Sequence, residues 1–286
     1  QASSVSLPDV LAWRDLGAKR VVLARELTMK EVAEICKNKP DDTDIECFVH
    51  GAMCVSYSGR CLLSSYMTGR DANHGDCAQP CRWSYSLMEQ TRPGKYYDIT
   101  ETDKGTYILN ANDMCMAEHL KEMRDAGIGS LKIEGRAKSA YYTAVTTYAY
   151  RNAVDQYYKL GKDYKLPAWI KDEMNKISHR EYSTGFFLGN EPGQVHSNGG
   201  YIREYDVVAM CDDYKDGTAF LTQKNKFTVG DVLDVLPPVG ESFTIKINTI
   251  YNHLGECVES APHPMEKLTI PCEKEIPVGS FIRKKR

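Results

Sequence analysis

The sequence has no apolar stretch close to the roughly 18 residues that a membrane-spanning helix needs, so no membrane association is expected. It also lacks a surplus of positive charge, because 36 Lys and Arg face 39 Asp and Glu for a net charge of −3. This balance argues against a protein coated with basic charge for nonspecific nucleic-acid binding, although it leaves room for a local basic groove.

Two peptidase motifs are missing as well. The sequence contains neither the HExxH helix of zinc peptidases nor the GxSxG elbow of serine hydrolases, so any activated nucleophile would have to be a cysteine. Ten cysteines are present, and they cluster in a chain of 286 residues that is too large to need disulfide staples. We therefore expect a cytoplasmic protein with a metal site rather than a disulfide framework.

Four of these cysteines lie in one segment rich in Gly, Ser, Asp and Asn, a composition typical of loops. They are Cys54, Cys61, Cys77 and Cys81, separated by six, fifteen and three residues. Structural zinc usually takes two tight cysteine pairs, and only one tight pair is present here. Iron–sulfur clusters accept less regular spacing, so the spacing favours a cluster over zinc. A catalytic thiol stays open as an alternative, since His50 and His74 are close in sequence.

The pattern around this loop predicts an α/β fold. Capping boxes at Ser6 and Thr28 begin two helices, and apolar runs at 19–27 and 45–51 read as buried strands. A strand at 106–109, a helix capped by Asn112, a strand at 130–133 and a helix from about Lys138 continue the alternation. Four βα units make about half of an eight-unit barrel, so residues 1–179 are predicted to form a partial TIM-like (β/α) barrel.

Short alternating runs separated by turn signals follow, and they predict a small antiparallel β-barrel domain over residues 180–286. The basic run that starts at Arg283 is predicted to be a solvated tail.

Polar residues near the strand ends are the remaining candidates, because the carboxyl ends of barrel strands build the active face. The candidate catalytic residues are Glu46, His50, Glu134 and Arg136. The candidate substrate-binding residues are Arg60, Arg70 and Asn73, since an arginine is the natural clamp for a carboxylate or phosphate. For Glu134 and Arg136, a structural ion pair is an equally good interpretation.

The stretch from Glu46 to Ser64 resembles the signature of the peptidase U32 (collagenase-like) family. The matching residues are Glu46, Phe48, Gly51, Ala52, Met53, Cys54, Gly59, Cys61, Leu63 and Ser64. The segments RDANHGDCAQPCRW, YILNANDMC, LKIEGRAKSAYY and HREYSTGFFLG are also similar to this family, most of all to its tRNA hydroxylation branch. Family members carry more barrel upstream, so we expect an N-terminal barrel portion to be missing here.

The resemblance implies a [4Fe-4S] cluster and hydroxylation of the wobble uridine of tRNA to 5-hydroxyuridine, with prephenate as the hydroxyl donor. Carried over, Cys54, Cys61 and Cys77 match family ligands. Cys81 is our choice for the fourth ligand, and Cys115 is the alternative. The expected partners are tRNA, a small dicarboxylate ligand and a related family subunit. The alternative functions are a collagenase-like peptidase (a hydrolase), a hydroxylase of ribosomal RNA or of a ubiquinone precursor, and a noncatalytic half that works with a partner.

Overall fold

A computed structural model describes residues 2–54, 56, 59–83, 87–88, 91, 93–94, 96–97, 112–136, 138–189 and 201–286. Contacts divide the chain into two units. The first comprises residues 1–172 and 179–202, and the second comprises residues 173–178 and 203–286. None of the described helices combines the length and apolar character required to cross a membrane.

The first unit mixes helices with short strands. In chain order, the helices and strands as far as residue 202 are α1 (Leu7–Asp15), β1 (Arg20–Val22), α2 (Met29–Asn38), β2 (Asp44–Ala52), α3 (Leu63–Thr68), β3 (Leu87–Met88), β4 (Tyr96–Tyr97), β5 (Asp113–Cys115), α4 (Leu120–Asp125), β6 (Ser130–Ile133), α5 (Ala140–Leu160), α6 (Ala168–Asn175) and β7 (Tyr182–Ser183). Both predicted capping boxes are confirmed, because Ser6 and Thr28 each accept a hydrogen bond from the third residue of their helix.

Strand β2 is the centre of the sheet in this unit. It pairs in parallel with β1 and with β6, as the βα alternation predicts. It also pairs antiparallel with β5, which pairs in turn with β7. The mixed α/β class is thus confirmed for the first unit, whereas a partial (β/α) barrel stays a prediction.

The prediction of a helix capped by Asn112 is wrong. Residues 113–115 form β5 instead, and the α-helix begins only at Leu120. The physical reason is burial: Asp113 and Met114 lie almost fully inside and pair with Ala52 and Gly51 at the end of β2. The strand predicted at 106–109 lies outside the described residues.

The second unit is an antiparallel sheet that curls around one apolar core. Its strands are β8 (Tyr205–Lys215), β9 (Thr218–Gln223), β10 (Phe227–Thr228), β11 (Val232–Leu236), β12 (Phe243–Lys246), β13 (Ile250–Tyr251), β14 (Cys257–Val258), β15 (Ser260–Ala261), β16 (Lys267–Pro271) and β17 (Phe281–Lys285). Eight of them form one sheet in the order β12-β11-β17-β8-β9-β16-β13-β14. The predicted antiparallel β domain is confirmed in this coarse form.

The prediction of a solvated basic tail is wrong for Arg283. This residue lies in β17, is fully buried, and donates hydrogen bonds to the carboxylates of Glu173 (2.7 Å) and Asp234 (3.0 Å). Lys176 donates to the same two carboxylates at 2.8 Å. Two cations and two anions therefore compensate one another in the interior, which makes burial of the guanidinium tolerable.

Candidate functional site

Four thiols line a single cavity of about 180 Å³ in the first unit. They belong to Cys54, Cys61, Cys77 and Cys81, the same four that the loop composition singles out. None of the ten cysteines forms a disulfide. The loop thus brings together residues that are up to 27 positions apart in the sequence.

Local hydrogen bonds hold the segment in this form. Cys54 lies two residues after the end of β2, and Cys61 lies two residues before the start of α3. The hydroxyl of Ser64, buried on α3, accepts a hydrogen bond from the backbone N–H of Ala78 at 3.0 Å, which fixes α3 against the Cys77–Cys81 stretch. The side-chain amide of Asn73 donates to the carbonyl of Cys61 at 3.0 Å. Asn73, a candidate substrate-binding residue, therefore holds the backbone at Cys61 in place.

In the part of the chain that the structure describes, no group of three or more His, Cys, Asp or Glu side chains is placed to hold a metal ion. The [4Fe-4S] cluster therefore stays a prediction. Burial raises the pKa of the Cys54 thiol, and the nearby Cys61 and Cys77 add to this effect, as is expected for thiols gathered around one cavity.

Cys115, the alternative fourth ligand, does not line this cavity. It lies in β5, and its sulfur is 3.9 Å from the hydroxyl of Tyr150. Burial raises the pKa of its thiol.

Arg25 is a residue that the sequence did not single out. Its guanidinium lines the cavity and is only 9% exposed. It donates to the carbonyl of Ala52 at 2.6 Å and to the carboxylate of Glu134 at 3.2 Å, and it stacks 4.0 Å above the ring of Phe48. Its Nε is buried and has no hydrogen-bond partner in the described part of the chain. The chain thus places a buried positive charge beside Cys54, and a lone Arg after a strand carries no sequence signal that would have revealed it.

Glu134 and Arg136 also line the cavity. Glu134 pairs with Arg25, and its other oxygen accepts a hydrogen bond from the backbone N–H of Arg136 at 2.8 Å. The Arg136 side chain extends to the carbonyl of His74 at 3.3 Å and lies directly against Gly75. Because Arg136 forms no ion pair with a described side chain, its charge is available to an anionic ligand.

Arg60 and Arg70 differ in whether an acidic side chain pairs with the guanidinium. Arg70 is paired with Asp76 at 2.7 Å. Arg60 is exposed, follows Gly59 on the cavity wall, and has no ion-pair partner among the described residues. Of the two, Arg60 is the better candidate for binding a phosphate or carboxylate.

Glu46 and His50 lie away from the cavity wall. Glu46 accepts a hydrogen bond from Ser130 at 2.6 Å near the start of β2. His50 is 1% exposed and packs among the rings of Tyr142, Tyr150 and Tyr182, with centroids 5.4–5.8 Å away.

Burial lowers the pKa of His50 to about 3. The nearby charge of Asp113 raises this pKa, and the charges of His179 and Lys138 lower it further. Its ring is thus neutral at physiological pH, and neither ring nitrogen has a hydrogen-bond partner among the described residues.

Comparison with known proteins gives the family context. Residues 1–197 match the model described as "Peptidase family U32", and residues 203–283 match "Peptidase family U32 C-terminal domain". The "tRNA hydroxylation protein P1" of Bacillus subtilis is 36% identical over 95% of this chain, which spans 65% of that protein's length.

Two further relatives have other names. The "23S rRNA 5-hydroxycytidine C2501 synthase" of Escherichia coli is 39% identical over 63% of this chain and 27% of its own length. The "Collagenase" of Porphyromonas gingivalis is 29% identical over 96% of this chain and 68% of its own length. The names therefore divide between RNA hydroxylation and proteolysis.

Proposed function

The chain belongs to peptidase family U32, and we propose that within this family it acts as an iron–sulfur-dependent RNA hydroxylase that forms 5-hydroxyuridine at the wobble position of tRNA. The observation that carries the proposal is that four cysteines line one cavity. The names of the relatives from Bacillus subtilis and Escherichia coli support hydroxylation of RNA.

Cys54, Cys61, Cys77 and Cys81 would each bind one iron of a [4Fe-4S] cluster. When bound, such a cluster supplies electron transfer at the cavity wall. The chain itself contributes a positive charge beside the cysteines. Arg25 places a buried guanidinium next to Cys54, where it offsets the negative charge of assembled thiolates.

The hydroxyl donor is the second element of the proposal. Replacing the hydrogen at C5 of uracil by a hydroxyl group needs an oxygen source and releases two electrons and a proton. We assign the oxygen to prephenate, a small dicarboxylate, the two electrons to an external redox acceptor, and the proton to solvent. Arg136, which lines the cavity, and Arg60, which follows the lining residue Gly59, suit the prephenate carboxylates, because neither cation forms an ion pair among the described residues. Arg70 is the weaker candidate, since Asp76 already occupies its guanidinium. The substrate also makes the cytoplasm the expected location.

The test begins with protein prepared without oxygen. We expect visible absorbance and about four iron and four sulfide per chain, with a large loss of both in Cys54→Ser, Cys61→Ser, Cys77→Ser and Cys81→Ser. Cys211→Ser is the matched control, because Cys211 is a buried core residue of the second unit. Colourless wild-type protein from such a preparation would contradict the cluster.

Nucleoside mass spectrometry of tRNA tests the substrate. A strain without the gene should lack wobble 5-hydroxyuridine and regain it with the wild-type gene but not with the Cys54→Ser variant. If ribosomal RNA loses a hydroxylated nucleoside while tRNA is unchanged, the proposed substrate is wrong.

A peptidase is the second candidate, favoured by the relative named collagenase and by one contact. His74 lies in the cysteine segment, and its Nδ1 is 2.8 Å from the carboxylate of Asp71, the kind of pair that orients an imidazole beside a thiol nucleophile. Gelatin cleavage by metal-free protein, abolished by His74→Gln, would support this function. Absence of cleavage at any protein concentration that gives RNA hydroxylation would remove it.

A further inference from the structure

Helix α3 presents an exposed apolar face at the edge of the cysteine cavity. Leu62 and Tyr66 are 74% and 89% exposed. They are four residues apart, so they lie on the same side of the helix. Leu63 lines the cavity, which puts Tyr66 within one helical turn of the cavity wall. A large aromatic ring is therefore exposed to solvent on the helix that borders the cavity.

A second exposed aromatic residue lies at the C-terminal end of the cysteine segment. Trp83 is 42% exposed and follows Cys81 by two residues, at the end of a short 3₁₀ turn that includes Cys81. The backbone N–H of Trp83 donates to the carbonyl of Pro80, which fixes the start of its side chain relative to the cavity. Two exposed rings thus belong to the same segment as the thiols.

Charge completes the pattern. Arg60 precedes Leu62 by two residues, is exposed, and has no ion-pair partner among the described residues. Helix α3 itself, with the sequence LSSYMT, has no charged side chain. Flat rings next to an uncompensated guanidinium are the chemistry that binds single-stranded RNA, since the rings stack on bases and the cation contacts the backbone phosphate.

We propose that Leu62, Tyr66 and Trp83, together with Arg60, form a docking rim for unpaired nucleotides of RNA, with Tyr66 as the principal stacking residue. This inference rests on the proposed function, because it names the residues by which that site would take an RNA loop. The overall charge of −3 does not oppose it, since affinity for one loop depends on local charge and stacking.

The test measures binding of a fluorescent anticodon stem-loop RNA to anaerobically prepared protein by fluorescence anisotropy. Tyr66→Ala is expected to weaken binding roughly 10- to 100-fold, as the loss of one stacked base predicts, whereas Tyr66→Phe retains wild-type affinity because it keeps the ring. Arg60→Gln should lower the slope of log affinity against log salt by about one.

Tyr158→Ala is the matched control. Tyr158 is 71% exposed and lies near the C-terminal end of α5. The other end of this helix, Ala140, follows the cavity residue Arg136 by four positions, and Tyr158 is about 27 Å along the helix from it. Its variant is expected to bind RNA like the wild type.

Iron content and thermal unfolding of each variant separate this inference from the proposed function. If the wild type holds iron and hydroxylates tRNA but Tyr66→Ala binds within twofold of it, the docking rim is wrong and the function stands. If Tyr66→Phe loses as much affinity as Tyr66→Ala, stacking is refuted. If the wild type lacks both iron and tRNA hydroxylation, the proposed function fails first.

Discussion

Gly75 offers a way to move Arg136 without mutating it. The backbone of Gly75 has φ +87°, and a Cβ built on it would lie 1.6 Å from Cζ of Arg136. Carbon atoms of this kind do not approach within 3.0 Å, so Gly75→Ala must displace the guanidinium by at least about 1.4 Å, the difference between these distances. The hydrogen bond from Arg136 to the carbonyl of His74 is then lost as well.

The expected cost has two separable parts. A non-glycine residue with positive φ loses about 1–2 kcal/mol of stability. Moving the guanidinium adds little to this cost, because the end of a long side chain can shift. If Arg136 binds a carboxylate of the substrate, losing that charge-assisted contact weakens catalysis by about 1.5–3 kcal/mol, or roughly 10- to 100-fold in kcat/KM.

Gly69→Ala is the matched control. Gly69 has φ +70° in the same segment, and nothing lies within 4 Å of its added Cβ. Both variants should therefore lose similar stability in urea unfolding, and only Gly75→Ala should lose tRNA hydroxylation. The double variant Gly75→Ala/Arg136→Ala should be no worse than Arg136→Ala alone. Equal losses of activity in the two glycine variants, or fully additive losses in the double variant, would refute the reasoning.

Three further predictions follow. His50 is neutral in the fold because burial lowers its pKa to about 3, while an unfolded histidine titrates near 6.5. Its contribution to stability is complete above pH 6.5 and falls as pH drops toward 3, by up to about 1.4 kcal/mol per pH unit, so unfolding at pH 7 and pH 5 should show a larger drop for the wild type than for His50→Phe. Arg283→Met strands two buried carboxylates and should cost about 3–5 kcal/mol in urea unfolding, against less than about 0.5 kcal/mol for the exposed Lys285→Met. Cys115→Ser should keep the iron content of the wild type, and a loss equal to that of Cys81→Ser would reinstate Cys115 as a ligand.

The sequence predicted local structure well wherever one local signal decides it. The capping boxes at Ser6 and Thr28 and the strand at 130–133 all appear as expected. The four cysteines that loop composition and spacing single out line one cavity, whereas their role as metal ligands stays a prediction. The helix expected after Asn112 failed because pairing with β2 and burial of Asp113 outweigh the local capping preference.

The sequence could not predict contacts between residues that lie far apart along the chain. Arg283 reads as part of an exposed basic run, and only the carboxylates of Glu173 and Asp234, 110 and 49 residues away, explain its burial. No sequence pattern marks Arg25 either, since its role depends on the ends of two strands that lie later in the chain. Both are cations whose partners no short-range pattern encodes.

Arg25 also gives the cavity a mechanical property. A single planar group is held by the carbonyl of Ala52, the carboxylate of Glu134 and the face of Phe48. One guanidinium therefore ties β2 to the residue that directly follows β6. A substitution at Arg25 would release both of these tethers at once, and with them the base of the cavity.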